Sequence, residues 1–76
     1  MRYEVGDIVV LHDDIKIYCN FITPNKFRPL ITPELAGQIG YVIETDDNDQ
    51  WVCCLWSTKD GLCVTRWTII YAIYKM

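Results

Sequence analysis

Apolar residues in this chain fall in short runs with a period of two, separated by clear turn signals, and that pattern predicts strands in place of helices. The first strand is predicted over 5–11, where a Gly6-Asp7 turn opens the run Ile8-Val9-Val10-Leu11 and Asp13-Asp14 closes it. A second is predicted over 39–45, ended by the polar turn Asp46-Asp47-Asn48-Asp49. The third, over 50–56, sets Trp51, Cys53 and Leu55 on one face and Val52, Cys54 and Trp56 on the other. Both faces are apolar, so this strand is expected to be central and covered on both sides. Asp60-Gly61 supplies the left-handed geometry of a hairpin into a fourth strand over 62–67. Residues 68–74 have strong β propensity and make a last strand, directly or after a short break.

The stretch 15–38 is different. A short strand is predicted over 15–21, where alternation is partial. Pro24, Pro29 and Pro33 then forbid any long element. Thr32-Pro33 reads as a helix start that Gly37 stops after one turn. A connection this long in a compact domain tends to carry function. Without internal repeat or linker, residues 1–76 read as one all-β domain, a small barrel of about five strands with one long loop between strands 1 and 2. Closing the sheet would remove exposed edges.

Composition narrows the chemistry. The chain is 76 residues long, 51% hydrophobic and 13% aromatic, which excludes disorder and leaves little room for a deep cleft. Its net charge of −3, with the seven Lys and Arg scattered, disfavours nucleic acid as a partner. Cys19, Cys53, Cys54 and Cys63 have no C-x-x-C spacing, and His12 is the only imidazole, so neither a structural metal nor a cofactor is expected. No apolar leader or membrane-length run is present, so the cysteines are expected to be reduced and buried in a cytoplasmic setting. His12, beside Asp13 and Asp14, reads as a solvated histidine, and no enzyme is expected.

Two segments carry a family resemblance. Val5-Gly6-Asp7-Ile8-Val9-Val10-Leu11 resembles the Gly-Asp-x-Val opening strand of KOW and related SH3-like barrels. Leu35-Ala36-Gly37-Gln38-Ile39-Gly40-Tyr41-Val42-Ile43 is similar to their Gly-x-x-Gly-x-Val turn and second strand. The resemblance covers 5–11 and 35–67, and implies an SH3-like barrel that binds protein or RNA. The basic loops of the RNA-binding members are missing. The chain also resembles small acidic phage or mobile-element proteins that bind a host protein. The expected function is therefore a non-enzymatic protein-binding module, with an RNA- or ribosome-associated KOW-like module as the alternative and self-assembly as a third class.

Candidate contact residues follow. Lys26, Phe27 and Arg28 set an aromatic between two cations, able to anchor a partner or stack a base; in the plainer reading Phe27 pins the loop to the domain. Glu44, Asp46, Asp47 and Asp49 form the densest acidic cluster, a solvated turn or a surface complementary to a basic partner. It is not a calcium loop, because no Gly follows at the required position. Trp51 and Trp56 face opposite sides of their strand, so one is expected to be an exposed anchor. By the resemblance, the 20–33 and 45–50 loops flank a groove that Tyr41, Trp51 or Trp56 would floor.

Overall fold

The computed structural model describes residues 2–14, 24–48 and 50–76. The short strand expected over 15–21, together with Cys19 and Asp49, lies outside the described residues. The chain is all-β. β1 (Ile8–Leu11), β2 (Ile39–Thr45), β3 (Trp51–Ser57), β4 (Cys63–Ile69) and β5 (Ile73–Lys75) form one antiparallel sheet in the order β4-β3-β2-β1-β5. That order is compatible with an SH3-like barrel, but β4 and β5 remain the two ends of the ladder, so the sheet is open. Single 3-10 turns at Asn25–Phe27, Pro33–Leu35 and Ile70–Ala72 are the only helical elements among the described residues. No helix among them is long and apolar enough to cross a membrane.

Two boundaries move from their expected places, each for a local reason. The first strand starts at Ile8, because residues 4–7 form a turn: the Asp7 N–H donates to the Glu4 carbonyl at 3.0 Å and the Glu4 N–H to Asp7 Oδ2 at 2.9 Å. Gly6 takes a φ of +101° there, a conformation side chains with a Cβ rarely adopt. The expected last strand is split. β4 runs on to Ile69, the Ile70–Ala72 turn carries the chain across to β1, and only 73–75 pair there. Every residue of 69–74 has good β propensity or is small, so the turn is imposed by tertiary geometry. The Ile70 N–H is held by the Gln50 carbonyl (2.9 Å), and the Ala72 carbonyl by the His12 N–H (2.9 Å).

The core lies on one face of the sheet. Val9 and Leu11 of β1, Val42 of β2, Val52, Cys54 and Trp56 of β3 and Ile73 of β5 are buried there with Tyr3, Ile31, Leu35 and Ala72. The side chain of Trp56 has no exposed surface and lies over Gly40, its partner on β2; a Cβ at Gly40 would stand 2.7 Å from two indole carbons. Residues 29–31 run beside β4 through the Leu30–Trp67 bridge. The Trp67 N–H donates to the Pro29 carbonyl (2.9 Å) and the Ile31 N–H to the Trp67 carbonyl (3.0 Å). This docking brings Ile31, and after it Leu35, into the core.

Candidate interaction surface

The long connection and the acidic turn do come together. Lys26 Nζ lies 3.4 Å from Asp46 Oδ1 and 4.8 Å from the centre of the Phe27 ring. Phe27 is buried: it stacks on Trp51 (centroids 4.5 Å apart, planes within 9°) and meets Trp67 edge-on at 5.2 Å. The plainer reading of this loop is the observed one, in which Phe27 pins it to the sheet. Lys26 and Asp46 satisfy each other, and Asp46 Oδ2 also accepts the Asn48 N–H at 3.2 Å. Arg28 and Asp47 are exposed, and Trp51 is half-buried under Phe27.

Trp56 requires a correction. It was a candidate contact, yet it is a core residue with no surface to offer. A second correction concerns β3, which is covered on both sides only in part, since Leu55 is 38% exposed. A third concerns Cys63, which is exposed, while Cys53 and Cys54 are buried. Burial, and secondarily the Glu44 charge, pushes the Cys53 thiol up; burial, with Cys53 beside it, pushes Cys54 up to about 12. Neither thiol is a nucleophile near neutral pH.

Tyr41 belongs to a different surface, on the sheet face opposite the core. Pairing aligns Ile8, Tyr41 and Leu55 across β1, β2 and β3. A second row aligns Tyr74, Val10 and Ile39 across β5, β1 and β2. Ile43 continues β2 just where its pairing with β3 shifts by one residue, between Val42 and Glu44. Partners at one register position point to one face, so the two rows share a surface, with Ile43 beside them in the bulge and Glu44, opposite Cys53, at its edge. Six of them are large and open to solvent: Ile8 49%, Ile39 49%, Tyr41 47%, Tyr74 46%, Ile43 39% and Leu55 38%. None carries a charge. A dip of about 190 Å³ lies between Ile8, Ile39, Tyr41, Leu55 and Cys63. Phe27 covers the neighbouring end of the same face, over Trp51 and Trp67. Among the described residues, no such aromatic lid lies over Ile8, Ile39, Tyr41 and Leu55.

Five of these six residues are absent from the candidates read in the sequence. Alternation puts Ile39, Tyr41 and Ile43 on one face, but it cannot say whether a neighbouring segment covers that face.

A second concavity, about 420 Å³, opens between the Pro33–Leu35 turn and the β3–β4 hairpin, with Leu35 and Val64 among its lining residues. Lys59 and Arg66 line it together with Glu34 and Asp60, so its formal charge is balanced. Arg66 Nη1 donates to the adjacent Thr65 carbonyl at 2.8 Å. Among the described residues no group of three or more His, Cys, Asp or Glu side chains is placed to hold a metal ion. No protein-family model, curated protein or solved structure matches the chain.

Proposed function

We propose that this protein is a non-enzymatic protein-binding module whose contact surface is the uncovered outer face of β1, β2 and β3. The observation that carries the reading is the contiguous row of uncharged, half-exposed side chains Ile8, Ile39, Tyr41 and Leu55, with Ile43 and Tyr74 beside them. Interface centres are depleted of charge and rich in tyrosine and large aliphatic groups. An apolar patch of this kind on a small domain marks a contact site more often than an idle surface. The loop pair around Lys26 and Asp46, expected from sequence to be the binding face, becomes its border. Its exposed carboxylates at Glu44 and Asp47 are available to steer an approaching partner. The proposed setting is cytoplasmic, in keeping with free thiols at Cys53, Cys54 and Cys63.

The test compares partner capture by wild type, Leu55→Glu and the double variant Lys26→Glu/Arg28→Glu, followed by amide hydrogen exchange on the recovered complex. A partner lost with Leu55→Glu, retained with the loop variant, and protecting amides of 39–43 and 53–57 is the expected result. A partner that ignores Leu55→Glu and needs Lys26 and Arg28 returns the contact to the loop and overturns the assignment.

A further inference from the structure

Resting on that reading of the outer face, we infer that its occupant is a second copy of this chain, joined through a twofold contact of Ile8, Ile39, Tyr41, Ile43, Leu55 and Tyr74. Three features select a twin. The first is area. The six exposures amount to between two and three whole side chains, roughly 500 Å² at about 200 Å² each. Two such faces together remove about 1,000 Å², the lower bound for a specific interface.

The second feature is charge. The chain carries −3, yet no ionised group stands among the six. A face can meet its own copy only if it brings no like charges together and buries none unpaired. The exposed carboxylate on this face is Glu44, opposite Cys53 at the edge beyond Ile43; Asp7 and Lys75 pair with each other at 3.4 Å on the side of Val9 and Tyr3. The third feature is shape. A twofold contact requires each copy to present both a projection and a hollow, and this face has a dip walled by Ile8, Ile39, Tyr41 and Leu55, with the half-exposed Tyr74 on β5 across Val10 from Ile39. The geometry is that of two sheets packed face to face, the usual way to bury a second apolar sheet surface. It also suits a 76-residue chain, whose single core contributes only a thin stability margin and for which association is a common remedy.

Sedimentation equilibrium of the whole chain, from about 1 µM to about 1 mM, spans the affinities a contact of this size gives. Wild type is expected to pass from monomer to dimer within that range and to stop at two. Leu55→Glu and Ile39→Lys each place a charge at the centre of the contact and are expected to weaken association at least ~100-fold. Both positions are solvent-facing in the single chain, so the circular dichroism spectrum should not change; either variant alone suffices if the other fails to fold. Lys26→Glu/Arg28→Glu is expected to dimerise as wild type does.

A wild type that remains monomeric throughout, or a dimer that survives both face variants, overturns the inference. The two readings fail separately. A monomeric wild type whose outer-face amides are still protected by a different captured protein removes the twin and leaves the binding face standing. A dimer that forms through other residues removes the twin from this face, and the binding reading is then decided by the capture experiment with Leu55→Glu.

Discussion

Gly40→Ala tests the packing of this domain at its tightest point. The added methyl would lie 2.7 Å from Cε3 and Cζ3 of Trp56 and 2.9 Å from Cδ2. Carbon atoms rest at about 3.5–4.0 Å, so the indole must withdraw by about 1 Å. It has little room to do so, since Trp56 has no exposed surface and Val9, Val42 and Cys54 of the same cluster have none either. The backbone cannot yield easily, because Gly40 is paired with Val9 on one side and with Trp56 on the other. Overpacking of this kind costs about 1–3 kcal/mol. Replacing glycine by alanine in a strand returns about 0.5–1 kcal/mol through reduced backbone entropy. An approach of 2.7 Å puts the cost in the upper half of that range, so the expected net loss is about 1–2 kcal/mol, which in a domain of this size lowers Tm by roughly 5–15 °C. Thermal and urea unfolding followed by tryptophan fluorescence would measure it. The double variant Gly40→Ala/Trp56→Phe removes the ring that the methyl strikes, so its cost should fall short of the sum of the two single losses. A Gly40→Ala variant as stable as wild type, or a pair of substitutions whose costs simply add, would refute the argument.

Three further outcomes follow from the same structure. In the native monomer, at about 1 µM, a thiol reagent should modify Cys63 at once and Cys53 and Cys54 only on unfolding, scored by mass spectrometry in a Cys19→Ser background; prompt labelling of Cys54 would contradict its burial. Phe27→Ala should cost about 3 kcal/mol, by loss of a buried ring, whereas Lys26→Ala removes a solvent-accessible ion pair and a cation contact on the Phe27 ring and should cost about 1 kcal/mol in urea unfolding. The Asp7 carboxyl is held below the usual carboxylate range by the Glu4 N–H and secondarily by Lys75. A depressed folded value means that its contribution is present above the unfolded-state pKa of about 3.9 and is lost as pH falls through the folded value. Asp7→Asn should therefore flatten the acid end of the stability–pH curve, and an NMR titration should place Asp7 below an unstructured aspartate.

The strands that the sequence reveals most clearly are those whose limits are set by local chemistry. The acidic turn at 46–48 and the Asp60-Gly61 hairpin bracket β3 almost to the residue, and the alternation in 39–45 gives β2 its two faces. Local chemistry fails where the chain must change direction for a global reason. Nothing in Ile69-Ile70-Tyr71-Ala72-Ile73 marks a turn, since the break exists only because β5 has to reach β1 from the far end of the sheet. The same limit applies to the candidate site. Sequence places Trp51 and Trp56 on opposite faces, but it cannot say that Gly40 makes a bed for Trp56 while Phe27 roofs Trp51. Tyr41, expected to floor a groove between the loops, instead lies 47% exposed between Ile8 and Leu55 on the outer face. Phe27 covers Trp51 and Trp67 while Ile8, Ile39 and Leu55 on the same face stay exposed, and three-dimensional cover of that kind leaves no trace in hydrophobic periodicity.

The strand order also has a consequence for how the molecule is made. β1 lies between β2 and β5, and the Tyr3 hydroxyl donates to the Ile73 carbonyl across a separation of 70 residues. During synthesis, β2, β3 and β4 can assemble as consecutive hairpins while β1 still has one bare edge. That edge is covered only when residues 73–75 leave the ribosome, and the Met76 N–H then closes onto the Ile8 carbonyl at 3.0 Å. Until that moment the nascent chain exposes an unpaired strand beside an apolar face, the combination most prone to pairing with a neighbouring chain. Any change that keeps residues 73–75 from docking would therefore leave β1 with a bare edge and is expected to turn the chain toward pairing with its own kind.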